Sequence, residues 1–226
     1  MQTFKSKSWG SRLLAAMALV TIAGTGLALT EDNAKTPKGD PWPLDTCAVS
    51  GEKLDSMGDA VVYDHEGRDV RFCCKGCIGA FKKNPDEYLA KADKQIIKQQ
   101  LKSYPLETCV VMESEVLGSD DMGEPVNLVY KNRLVRFCCK GCVRKFKKDP
   151  AAYLAKIDQA VIKQQMKNYP LENCLVMEDE SLGEEPINHV FANRLVRFCC
   201  MGCLRKFDKN PVAYLAKIDL ASDEKN

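Results

Sequence analysis

The stretch "NRLVRFCCKGCVRKFKKDPAAYLAKID", residues 132–158, returns as "NRLVRFCCMGCLRKFDKNPVAYLAKID" at residues 193–219, identical at 22 of 27 positions. A shorter relative, "RFCCKGC", stands at residues 71–77. The clusters begin at Cys73, Cys138 and Cys199, a period of 65 and then 61 residues. Identity of that extent marks internal duplication, with each repeat a small folding unit.

Outward from the clusters, each unit opens on an aromatic-Pro-Leu-acid phrase: "WPLDTC" from Trp42, "YPLETC" from Tyr104 and "YPLENC" from Tyr169. The modules are therefore expected at residues 42–103, 104–168 and 169–226, after an exposed linker over 29–41 rich in Lys, Thr, Pro, Gly and Asp. "VNLVYKNRLVRF" holds two β-rich runs around Lys131-Asn132, which predicts a hairpin, and "INHVFANRLVRF" repeats it. In the first unit "DHEG" predicts a longer turn that contains His65, and the hairpin alignment sets His189 against Val61 and Leu128. Asn84, Asp149 and Asn210 each precede a Pro, a helix-start signal. The first of these helices carries Leu89, Ala92, Ile96 and Leu101 near helical period and is predicted to reach Ser103; its homologue runs from Pro150 to Asn168. The predicted fold class is α+β: three similar modules, each a hairpin, a cysteine knuckle and a helix, strung in line.

The composition, 45% hydrophobic and 28% charged, is that of a globular chain. Lys5, Lys7 and Arg12 precede every acidic residue, so without them the net charge of +2 becomes −1. That leaves no basic excess to track a phosphate backbone, and nucleic acid is excluded as a partner. "MQTFKSKSWGSR" is a basic n-region before the apolar stretch "LLAAMALVTIAGTGLAL" of 17 residues, with small Gly26 and Ala28 at a cleavage position. Residues 1–28 are thus expected to be a signal peptide and the mature chain periplasmic or secreted. A membrane association arises only if the leader stays uncleaved, and the run is short against the ~20 residues of a span.

All twelve cysteines lie at or after Cys47, four to a unit. One comes early (Cys47, Cys109, Cys174), and 26, 29 or 25 residues later the Cys-Cys-x-x-Cys cluster begins. So small a unit has a thin core and needs a staple, either metal or disulfide. A hairpin of that length folds the early cysteine back onto the cluster. Three thiolates then converge on one soft ion, zinc or copper(I), with the helix start favouring their charge.

A Cys, a hairpin, Phe-Cys-x-x-x-Cys, a Phe and then Asn/Asp-Pro-x-x-Tyr resembles the YHS and TRASH domains, small treble-clef or zinc-ribbon-like modules that bind heavy metals. The resemblance covers nearly all of residues 42–219 in three copies. It implies the ligand sets Cys47, Cys73 and Cys77; Cys109, Cys138 and Cys142; and Cys174, Cys199 and Cys203. Where that family often has a second early cysteine, Ser50, Met112 and Met177 stand here, so the fourth ligand is open. Met112 and Met177 are candidates as thioethers, which suit copper(I), or as core packing. Cys74, Cys139 and Cys200 are candidates as ligands or as buried or free thiols. Arg71, Arg136 and Arg197 read as solvated strand residues more than as partners of a thiolate site. Phe81, Phe146 and Phe207, with Tyr88, Tyr153 and Tyr214, read as the core under the knuckle.

The reading is therefore an exported, non-enzymatic binder that sequesters, buffers or passes on metal, handing it to an exporter or a metalloenzyme. The alternative is a disulfide-stapled interaction module, since an exported chain with even cysteine numbers suits one. Redox catalysis through "CKGC" lacks its βαβ setting. His65 and His189 do not repeat between units and carry no common site.

Overall fold

The computed structural model describes residues 39–121 and 123–223; the leader and residues 29–38 of the linker lie outside them. Each unit is a hairpin followed by a short and a long helix. Unit one has β1 (Val61–His65), β2 (Arg68–Phe72), α1 (Gly76–Lys83) and α2 (Pro85–Gln100). Unit two has β3 (Val126–Tyr130), β4 (Arg133–Phe137), α3 (Lys140–Phe146) and α4 (Pro150–Gln165). Unit three has β5 (Ile187–Phe191), β6 (Arg194–Phe198), α5 (Met201–Phe207) and α6 (Pro211–Asp223). The strands form three separate two-stranded antiparallel sheets, so the architecture is α+β in three copies.

The hairpin turns share one geometry. Lys131 and Asn132 have φ of 48° and 72°, and Ala192 and Asn193 have 50° and 60°. Two successive positive φ values match the right-handed twist of the flanking strands. Unit one does not have the longer turn expected. Glu66 and Gly67 make the same two-residue turn, with φ of 54° and 77°, because Gly67 supplies the left-handed position. His65 consequently ends β1, paired with Arg68, and His189 is paired with Val196 at the position of Tyr63 and Leu128, not of Val61.

Helix starts follow the Pro signals. Pro85 and Pro150 occupy the first turns of α2 and α4, and the Asp149 carboxylate accepts the Ala152 N–H at 3.2 Å. The last turns tighten into 3₁₀ segments at Leu101–Ser103 and Met166–Asn168. Leu101, expected on the apolar stripe, is 39% exposed, because a tighter turn rotates it off that face.

Each unit buries its own core. Phe72 and Phe81, Phe137 and Phe146, and Phe198 and Phe207 are fully buried, their ring centroids 5.3–5.4 Å apart. The long helices add Ala92 and Ile96, Ile157 and Val161, and Leu215 and Ile218.

The units are not strung in line; they interlock in one compact unit. Val129 of unit two packs on the core of unit one, and Val190 and Leu195 of unit three join the core of unit two. Arg71 reaches unit three, donating to the carbonyls of Lys209 and Asp208 at 2.7 Å each, and pairs with Asp69 at 3.1 Å. It is buried rather than solvated, because it caps the open carbonyls after α5. Arg136 and Arg197 instead lie over the rings of Tyr104 and Tyr169. The end of the linker is likewise not exposed: the Asp40 carbonyl accepts from Asn132 Nδ2 at 3.0 Å, and its carboxylate accepts the Ala192 N–H at 2.8 Å. No helix among the described residues is long and apolar enough to cross a membrane.

Candidate metal centres

The early cysteine of each unit sits in a closed loop. The N–H of Cys47, Cys109 and Cys174 donates to the carbonyl of Glu52, Glu115 and Glu180 at 2.7–2.8 Å, and bridges such as Thr46 with Lys53 and Thr108 with Val116 shut its base. The Ala48 N–H donates to the Arg71 carbonyl at 3.0 Å and that of Leu175 to Arg197 at 3.3 Å. Those bonds tie the loop to the second strand just before the cluster.

The cluster begins where that strand ends. The N–H of the last cysteine folds back to the carbonyl of the second, from Cys77 to Cys74, Cys142 to Cys139 and Cys203 to Cys200, at 3.1–3.3 Å. This turn brings the first and last sulfurs together, 3.9 Å apart in Cys73–Cys77 and 3.7 Å in Cys138–Cys142 and Cys199–Cys203. With the early cysteine, each unit holds three sulfurs mutually within 4.8 Å: Cys47, Cys73 and Cys77; Cys109, Cys138 and Cys142; and Cys174, Cys199 and Cys203. Three ligands on one ion at ~2.3 Å stand ~3.8 Å from one another, so the spacing fits a thiolate-bound metal. All twelve cysteines are free thiols.

Backbone donors polarise these groups. Burial pushes the Cys47 thiol up, but the Ser50 hydroxyl and N–H, with the N–H groups of Cys73 and Val49, outweigh it and hold it at about 7. Cys109 and Cys174 are lowered in the same way, burial being overcome by N–H groups that include those of Met112 and Met177. Burial and the neighbouring sulfurs drive the last cysteine the other way, Cys77 to about 12 and Cys142 and Cys203 also upward. Each group thus sets an early sulfur disposed to ionise beside a last sulfur that holds its proton, and a cation that displaces protons from the group gains all three sulfurs as ligands.

The remaining candidates fall in different places. Cys74, Cys139 and Cys200 lie 3.7–3.8 Å from the last sulfur of their clusters, outside the groups of three. Met112 and Met177 direct backbone N–H groups to the early cysteine, while 37% and 41% of their surface is exposed. In unit one, the Ser50 hydroxyl lies 3.5 Å from Cys73 Sγ. His65 and His189 pack edge-on to Phe81 and Phe207 and belong to no cysteine group. Tyr88, Tyr153 and Tyr214 join the aromatic cores as expected.

Sequence reasoning missed Gln100, Asn132, Asn193, Arg68 and Arg133, which hold the three centres in one body. Their signal was present, since "KQQ" recurs at residues 98–100 and 163–165 and "NR" at 132–133 and 193–194. Comparison of the chain with family models, curated proteins and solved structures found no match.

Proposed function

We propose that the chain is a metal-binding protein of the YHS/TRASH kind, each unit a treble-clef or zinc-ribbon-like module that holds one soft ion, zinc or copper(I), through its three cysteines. One observation carries the reading: the same triad of close sulfurs is built three times, from an early cysteine and a cluster that begins 25–29 positions later, with no carboxylate or imidazole of the described residues in the group. All-sulfur donor sets select soft or borderline ions. The chain acts as a binder rather than an enzyme, and three sites give capacity to sequester, buffer or pass on the ion to an exporter or a metalloenzyme. Residues 1–28 direct export, and the protein works in the periplasm or outside the cell.

The test is elemental analysis with a thiol count. Protein purified under reducing conditions should carry close to three zinc or copper ions per chain and release twelve reactive thiols once the metal is stripped. Twelve free thiols with no uptake of either ion would defeat the metal reading. Six bridges and no thiols would establish the disulfide module in its place.

A further inference from the structure

Every unit holds one cysteine more than its sulfur triad uses. In unit two Cys109, Cys138 and Cys142 are 0–2% exposed, so no outside molecule reaches that triad directly; in units one and three two sulfurs are buried and one, Cys77 or Cys199, is half-buried. Cys139 is half-buried, and its sulfur lies 3.8 Å from that of Cys142. Cys74 is also half-buried and Cys200 exposed, at 3.8 and 3.7 Å from Cys77 and Cys203.

A second repeated feature leaves room beside these sulfurs. Gly76, Gly141 and Gly202 stand two residues on, and a Cβ at any of them would lie 3.5–3.6 Å from the sulfur of Cys74, Cys139 or Cys200. None of these glycines needs a left-handed backbone, since none has a positive φ. A Cβ there would stand in ordinary van der Waals contact with the sulfur, and in all three units that contact is absent.

Building on the metal reading, we propose that Cys74, Cys139 and Cys200 are exchange thiols through which each site receives its ion from, and yields it to, a thiolate-bearing partner. A sulfur in contact with the last ligand and open to solvent can take the ion while one buried sulfur lets go. The partner's thiolate then adds on the outer side. Each sulfur that joins the ion gives up a proton to solvent and each that leaves takes one back, so proton numbers balance and no oxidation state changes. The resting triad is untouched, and a handover through ligand exchange avoids releasing a free ion.

The test uses the full chain loaded with zinc, and with copper(I) in parallel. The probes are iodoacetamide and the dithiol 2,3-dimercaptopropane-1-sulfonate. In the loaded protein, iodoacetamide should label Cys74, Cys139 and Cys200 first, with the three ions retained. The C74S/C139S/C200S variant should keep three ions per chain and an affinity within about threefold, yet transfer them to the dithiol at least tenfold more slowly. The alkylated wild type should show the same slow transfer, which covers a variant that fails to fold. An affinity loss of a hundredfold would make these cysteines permanent ligands and overturn the proposal. Unchanged transfer in the variant and the alkylated protein would also overturn it. A wild-type chain that takes up neither ion removes the metal reading, and this inference with it.

Discussion

The Nε of Arg68 donates to the side-chain oxygen of Asn132 at 2.7 Å, across 64 residues of sequence. The next pair of units repeats the bond, Arg133 Nε to Asn193 Oδ1 at 2.9 Å. In both, the asparagine is the second residue of a hairpin turn, fully buried, and delivers its carboxamide to the preceding unit. Asn132 Nδ2 also donates to the carbonyls of Asp69 and Asp40. Gln100 binds the Asn132 carbonyl, the Leu134 N–H and Asn193 Nδ2, so one side chain ties all three units. Arg194, the third arginine of the series, pairs with Asp219, and 24% of its side chain remains exposed.

Replacing Asn132 should separate two effects. Asn132→Gly keeps the left-handed turn but leaves the buried Arg68 Nε without its acceptor, a loss of about 1–3 kcal/mol. Asn132→Ala adds the strain of a Cβ at φ 72° and should cost about 1 kcal/mol more. Denaturant midpoints for the two variants, at constant slope, check the order. Equal loss in both would mean that the turn conformation contributes nothing.

Stability should fall with pH through Asp40. Burial raises its pKa above the ordinary 3.8, and Asp158 adds to that, while Arg133, the Ala192 N–H and His189 oppose it without prevailing. An acid whose folded pKa is raised contributes stability below its unfolded pKa and loses it as pH rises through the folded value. Asp40→Asn keeps an acceptor for Ala192 and removes the charge. Relative to this variant, the wild type should lose melting temperature as pH rises above the ordinary carboxyl value of 3.8. Parallel curves would show that the carboxyl has no such role.

Each triad should be separable. Cys142→Ser should lower the metal content from three ions to two per chain, as should Cys77→Ser or Cys203→Ser in their own units. Ion binding stabilises the native state, by about 4 kcal/mol at a thousandfold excess over Kd. Chelator should therefore lower the melting temperature of the wild type, whereas reductant alone should not. Titration with zinc, read by calorimetry, counts the sites.

Phe146 shares one core with the second triad and is fully buried against Tyr130, Phe137 and Tyr153. Phe146→Ala should cost about 3–5 kcal/mol. Because the units interlock, unfolding should remain one transition rather than leave units one and three folded. Two resolved calorimetric transitions would show the units to be independent.

The duplication, the hairpin at Lys131-Asn132, the helix starts at Pro85 and Pro150 and the grouping of the nine cysteines were all legible from residue order. Such features follow from neighbours in the chain: turn dihedrals, a missing N–H at a helix start, a hairpin long enough to return one cysteine to its cluster. The "DHEG" segment misled because its polar letters hide a strand that continues through Asp64 and His65 as far as the residue Gly67 allows. Tertiary structure alone decided the rest. That Asn132 serves Arg68, that Gln100 serves units two and three, that Arg71 caps the end of α5 and that half-buried Asp40 is tied to Ala192 rather than loose depend on where separate units meet. A buried polar group must find a partner wherever the packed surfaces place one; recurring phrases such as "NR" mark some of the residues, but which partner each meets, 64 or 137 positions away, is chosen across space.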